Sequence, residues 1–139
     1  MVVETLVTAA PDAVWARFID VPRWPEWNLM CIGASVDGAL APGCRLDLHL
    51  RHPRGRDFWT RPRVIEVEVG RLVTWRASGL GLRSDTRTVF TPDGDGTRVN
   101  MASDARGLLA FAFRLVMTPA TESALYGGML MSLQGSFTT

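Results

Sequence analysis

The chain has 139 residues, 47% of them hydrophobic and 21% charged, which is material for one domain with a substantial core and excludes disordered, collagen-like and low-complexity classes. Fifteen basic against 14 acidic side chains leave a net charge of +1, so no bulk field favours nucleic acid or an anionic membrane. Every basic residue is Arg; without Lys, Schiff-base chemistry and a phosphate-cradling P-loop lysine are excluded.

Residues 2–7 are rich in β-branched side chains and read as a strand. Pro11 and Asp12 open a helix, with Val14, Trp15, Phe18 and Ile19 as its buried stripe. The segment from Asp20 to Asn28 contains Pro22 and Pro25 and is a turn or one short helix. From residue 31 the period changes to two. Strands are expected at 31–37, 43–51, 61–69, 71–78, 83–91 and 96–105, punctuated by turns such as Asp37-Gly38, Pro42-Gly43, Gly79-Leu80-Gly81 and Pro92-Asp93-Gly94. Leu46, Leu48 and Leu50 alternate with Asp47 and His49, and Ile65, Val67 and Val69 alternate with Glu66 and Glu68. That alternation describes an antiparallel sheet with one wet and one covered face.

The cover is the segment 107–135, helical by composition, with Arg114 and Glu122 as its only charges. Pro119 either kinks one helix or begins a second with Thr118 as N-cap. Phe111, Phe113, Val116, Leu125, Met129, Leu130, Met131 and Leu133 surround this segment. A cavity covers only one side of such a cylinder, so the surplus favours association, and a homodimer is expected.

Three stretches carry a family resemblance. Ala10-Pro11-Asp12-Ala13-Val14-Trp15 leads through Phe18-Ile19-Asp20 to Trp24-Pro25-Glu26-Trp27-Asn28; Thr88-Val89-Phe90-Thr91-Pro92 precedes Gly96-Thr97-Arg98-Val99; and Gly107-Leu108-Leu109 opens the last helix. Over its whole length the chain resembles the START/Bet v 1-like superfamily (SRPBCC), whose bacterial members are labelled polyketide cyclase/dehydrase and lipid-transport proteins. The resemblance implies an α+β helix-grip fold. A seven-stranded antiparallel sheet would curl around a long C-terminal helix, with a short N-terminal helical segment and an elongated apolar cavity.

Strand parity then selects the cavity-facing groups. Thr86, Thr88 and Phe90 share the inward face of one strand, and Val99, Met101, Ser103 and Ala105 that of the next. Trp75 shares parity with Val73 and Ala77 and projects inward; Glu122 and Tyr126 are the polar contributions of the final helix. The expected ligand-binding set is therefore Trp75, Thr86, Thr88, Phe90, Met101, Ser103, Glu122 and Tyr126. Many relatives place His at the position of Thr86 and Glu at that of Ser103; here both are hydroxyls, which orient a ligand oxygen but are no general base alone. No catalytic residue is assigned.

Parity points Asp47 and His49 to solvent, and His52 lies in a hairpin loop. Trp15, Trp24 and Trp27 read as packing, the last two closing one end of the barrel, whereas Trp59, beside Phe58, is expected at the cavity lip. Arg51, Arg54, Arg56, Arg61 and Arg63 form a basic hairpin that reads first as a solvated surface and second as a site for an anionic ligand tail. Cys31 and Cys44 are too few for a disulfide scaffold and are not expected to pair.

These features predict a single domain over residues 1–139, soluble and cytoplasmic, with no signal sequence at Met1-Val2-Val3-Glu4 and no membrane span. It would bind a hydrophobic small molecule, polyketide-like, aromatic or lipid, without metal, cofactor or nucleic acid. Two readings stay open: a cyclase or aromatase-like enzyme that folds a flexible substrate, and a carrier, sequestering or resistance protein without turnover.

Overall fold

The computed structural model describes residues 1–79 and 81–138, the Val116 side chain excepted; Leu80, expected in a turn, and the Val116 side chain, expected on the apolar helix surface, lie outside the described residues. In chain order the elements are β1 (Val2–Val7), α1 (Pro11–Ile19), a 3-10 turn (Val21–Arg23), α2 (Trp24–Trp27), β2 (Cys31–Val36), β3 (Leu46–Leu50), β4 (Phe58–Thr60), β5 (Arg63–Glu68), β6 (Leu72–Gly79), β7 (Leu82–Asp93), β8 (Gly96–Arg106), α3 (Ala110–Val116) and α4 (Pro119–Gly135).

All strand pairs are antiparallel, in the orders β1-β8-β7-β6-β5 and β2-β3-β4. The two sheets are continuous through β3. Leu46 N donates to Pro62 O at 2.9 Å and Val64 N to Cys44 O at 2.9 Å, so β4 and β5 lie end to end along β3. The strand expected at 61–69 is thus the second half of a longer one broken at Pro62, which has no N–H to give the ladder. A bulge between Val64 and Glu66 also shifts its parity. Val64 is the fully buried residue, and Val69, expected inward with Ile65 and Val67, is 88% exposed.

The sheet curls around α4, whose Leu125, Met129, Leu130 and Leu133 are buried. The expected all-round apolar surface is therefore divided: most of α4 is enclosed, and the exposed excess sits on α3 and the residues just before it. Thr118 caps α4, its hydroxyl accepting from Thr121 N at 3.1 Å, with Pro119 in the first helical turn. Thr118-Pro119 therefore separates two helices. Between β1 and β2 the gap is filled by α1, the 3-10 turn and α2. Phe18 packs on Trp24, Trp75 and Phe90 with ring centroids 5.2–6.1 Å apart, and Trp15 meets Phe90 edge-on at 5.3 Å. Trp24 Nε1 donates to Phe18 O at 2.8 Å. This aromatic cluster closes one end of the grip. Cys31 and Cys44 are free and buried. No described helix is long and apolar enough to cross a membrane.

At the other end, α3 is locked to the β6–β7 turn. Gly107 has φ 114°, Leu109 N donates to Gly81 O at 3.3 Å, and a Cβ on Gly107 would lie 2.1 Å from that same oxygen. Gly107→Ala is therefore expected to lower stability by about 3–5 kcal/mol, because the backbone clash adds to the strain of the positive φ, read as a fall in urea midpoint. Gly38 shares a positive φ of 92° but has open space around it, so Gly38→Ala should cost only about 1–2 kcal/mol. Equal midpoints for the two variants would contradict the locked turn.

Candidate ligand cavity

The inner faces of β4, β6 and β7, with α3 above and α4 beside them, enclose a cavity of about 260 Å³. Register explains which side chains reach it. Leu48 and Leu50 point inward on β3, so their partners Thr60 and Phe58 do too, and Trp59 faces outward with its own partner His49. His49 and Trp59 stack there with centroids 4.1 Å apart and planes 7° apart. Phe58 is consequently the cavity lip; Trp59, expected in that role, is 61% exposed and lies outside. His52 accepts from Arg54 N at 3.0 Å within its loop, so neither histidine faces the cavity.

On α3 the residues Phe113 and Met117 roof the space, and on α4 Glu122, Leu125 and Tyr126 form a wall. The spacing of Glu122 and Tyr126, four residues, stacks them on one helix face. A recess of about 30 Å³ continues inward, sharing Thr60, Ala77, Ser84 and Tyr126 with the main cavity and adding Trp75, Thr86 and Met129. Around it the hydroxyls form a chain. Thr86 Oγ1 lies 3.5 Å from Ser103 Oγ, Ser84 Oγ is also 3.5 Å from Ser103 Oγ, and Tyr126 lines the same recess as Thr86. Contacts of 3.5 Å are at the outer limit of a hydrogen bond, so these groups keep capacity for a ligand oxygen.

Of the residues expected to bind ligand, Glu122 and Tyr126 line the cavity, while Trp75 and Thr86 line the recess with Tyr126. Ser103 stands behind Thr86 and Ser84. Thr88, Phe90 and Met101 share the inward parity but lie in the packed core towards the aromatic end, where α1 has already filled the space. The Thr88 hydroxyl has no hydrogen-bond partner there among the described residues. Parity alone could have added Ala77, two residues beyond Trp75, and Ser84, two before Thr86. Phe113 and Met117 needed the break at Pro119 to be known.

Electrostatically the cavity is a place for neutral groups. Burial pushes the Tyr126 phenol up to about 12, against the opposing effect of the Thr86 hydroxyl, and nearby Glu122 adds to the rise. Burial also raises the Glu122 carboxyl above its ordinary value, opposed only in part by the N-terminal ammonium and Arg114. A larger concavity of about 1100 Å³ lies outside, between α1, α2 and α4, but it is wide open and edged by Arg17, Asp20, Arg23 and Glu26. Two of those charges are already engaged with each other, Arg23 Nε donating to Glu26 at 2.9 Å, and Arg17 is tied to Ser136 O at 2.8 Å. The smaller cavity is the less open and more apolar of the two, and so withdraws more of a ligand from water. No group of three or more potential metal ligands occurs among the described residues.

A sheet gripping a C-terminal helix over an internal cavity defines a helix-grip protein of the START/Bet v 1-like class. The chain belongs to the polyketide cyclase/dehydrase and lipid transport family, whose sequence profile matches residues 1–134. A START superfamily protein from Mycobacterium smegmatis superposes with a TM-score of 0.75 at 17% identity, covering 99% of this chain and 95% of that one. StfQ, the di-domain ARO/CYC protein of the steffimycin biosynthetic pathway, matches with a TM-score of 0.74 at 17% identity, covering 97% of this chain and 49% of that one. In sequence, the chain is 33% identical over 82 residues to oxopyrrolidines biosynthesis cluster protein O of Penicillium oxalicum, covering 51% of this chain and 38% of that protein. The chain thus spans well under half the length of this curated relative.

Glu122 yields a pH prediction. Its folded-state pKa is raised, so the folded chain binds that proton more tightly than the unfolded one, and stability falls as pH rises from the ordinary value of 4.5 through the raised one. Glu122→Gln removes that penalty. Its melting temperature should exceed the parent's at pH 7, and the two should converge as pH falls to 4.5 and below. A variant less stable than the parent at pH 7 would show that Glu122 is held by a compensating partner.

Proposed function

We propose that this protein binds a compact hydrophobic small molecule, aromatic, polyketide-like or lipid-derived, in the cavity under α3. The observation that carries the reading is the arrangement of that cavity: apolar at its mouth through Phe58, Phe113 and Met117, with under-bonded hydroxyls of Ser84, Thr86 and Tyr126 at its inner end. Such a gradient suits a molecule with a flat or chain-like apolar body and one neutral oxygen. A carboxylate buried at the inner end would meet no cationic side chain and would lose its hydration uncompensated. At about 260 Å³ the space is just below the usual range of ligand pockets, about 300 to 1000 Å³, so one ring or two fused rings fit better than a long chain. Family membership supports the reading, as does the likeness to a protein named for a biosynthetic cluster.

A second reading, cyclisation or dehydration of such a ligand, draws on Glu122. It is a carboxyl on the cavity wall with raised proton affinity, one helical turn from the Tyr126 donor, and so a group able to deliver a proton to a bound oxygen. Folding a flexible poly-carbonyl chain would supply the rest of the acceleration. The two readings separate on one variant. With turnover, Glu122→Gln abolishes product while leaving ligand affinity within about threefold, roughly 0.7 kcal/mol; with carriage alone no product forms from either protein.

The binding reading is tested by fluorescence titration with 2-naphthol, an uncharged fused-ring phenol. Ala77→Trp fills the junction of cavity and recess and should weaken binding at least about tenfold, roughly 1.4 kcal/mol. The double variant His49→Gln, His52→Gln should leave affinity unchanged, because both rings lie outside. Unaltered affinity in folded Ala77→Trp would place the binding site elsewhere.

A further inference from the structure

The α3 helix, with Leu108 in the turn before it and Met117 at its C-cap, has two apolar faces. Ala110, Phe113 and Met117, at spacings of three and seven, turn inward, Phe113 and Met117 over the cavity. Leu108, Phe111 and Leu115, at the same spacings one step round, turn outward and are 87%, 67% and 77% exposed. Three large side chains this exposed and this close together are not what a protein surface leaves to water without a use. Exposed apolar residues scattered singly need no explanation; a contiguous row beside a cavity mouth does.

The surroundings of the row identify its partner. Arg83 and Arg106 are directly opposed across β7 and β8, a like-charge pairing that a sheet avoids because it is destabilising. Asp104 pairs with Arg106 at 2.7 Å, but Asp85 is held by Arg76 at 2.8 Å, and Arg83 has no ion pair among the described residues. A shallow groove of about 510 Å³ runs between these two guanidiniums, Leu108 and the backbones of Gly81 and Gly107. Arg114 is exposed at the flank between the two faces of α3, its guanidinium donating to Ala105 O at 2.8 Å at the end of β8. Apolar side chains flanked by arginines, with a groove of headgroup size between two of them, complement an anionic lipid surface: acyl chains for the leucines and phenylalanine, phosphates for the guanidiniums.

We propose that the α3 edge, formed by Leu108, Phe111 and Leu115 with Arg83, Arg106 and Arg114, docks the protein on an anionic bilayer surface. This rests on the cavity reading in one respect: docking sets the roof helix of the cavity against the lipid, so that an apolar ligand passes between membrane and cavity without crossing water. The net charge of +1 does not oppose this, since the attraction is local to one edge and acts within about a Debye length, ~8 Å at physiological salt.

The test is flotation with vesicles of phosphatidylcholine, with and without phosphatidylglycerol. The protein should float with the anionic vesicles, less so as salt rises, and much less with phosphatidylcholine alone. Phe111→Asp with Leu115→Asp should abolish flotation, and Arg83→Gln with Arg106→Gln should weaken it about thirtyfold. All four positions are exposed, so the variants should fold, and their 2-naphthol affinity should match the parent's. Absent flotation with intact naphthol binding overturns the docking surface and leaves the cavity reading standing; lost naphthol binding in the parent overturns the cavity reading instead. Sedimentation velocity supplies the last arm. A dimer that Phe111→Asp with Leu115→Asp dissociates would assign this edge to a second copy of the chain and overturn the membrane proposal.

Discussion

The structure depends on one requirement, that the inner face of α4 stay dry against the concave sheet. Leu125, Met129, Leu130 and Leu133 supply that face, and each fully buried side chain of this kind contributes about 1.5–3 kcal/mol. Seating this stretch on the sheet orients Tyr126, within it, and Glu122, one turn before it, towards the same interior. There the packing ends and the cavity begins. The Thr118 cap and Pro119 then end the constraint, freeing α3 to cross the opening as a separate helix.

The interior changes character along its length. At one end Trp15, Phe18, Trp24 and Phe90 interlock with Trp75 and leave no room. In the middle, hydroxyls of Ser84, Thr86, Ser103 and Tyr126 approach one another without closing tight hydrogen bonds. At the other end Phe58, Phe113 and Met117 form an apolar mouth. This sequence of aromatic floor, neutral polar band and apolar entrance is the arrangement that the proposed ligand site requires.

Much of this was legible before any coordinates. Alternation on β7 and β8 identified the inward face, since a one-residue slip would have turned Arg87 and Arg98 into the core. Pro11, the Trp24–Trp27 turn and Thr118-Pro119 each marked a boundary that the chain uses. What parity cannot say is where along a strand the filling stops. Thr88, Phe90 and Met101 face the right way but sit under the α1 aromatics, whereas Ala77 and Ser84 occupy the open portion. Two local irregularities were also hidden. The bulge after Val64 puts Val64 and Val67 on the same inner face, so Val67 keeps the expected side while Val69 does not, and the three-residue β4 was too short to show a period, which is why Trp59 and Phe58 exchange roles. The apolar surplus of the last segment was visible in composition, but its confinement largely to α3 depends on how far the sheet wraps around α4.

The methionines are spaced through the molecule so as to report which interior a ligand enters. Met117 lines the cavity and Met129 its recess, Met30 and Met131 border the outer groove, and Met101 is sealed in the core. The most direct measurement is a methyl NMR titration of the methionine-labelled protein with 2-naphthol. The account predicts saturable shifts at Met117 and Met129, with Met30 and Met131 unmoved. Shifts confined to Met30 and Met131, or none at any methionine at saturating ligand, would contradict it.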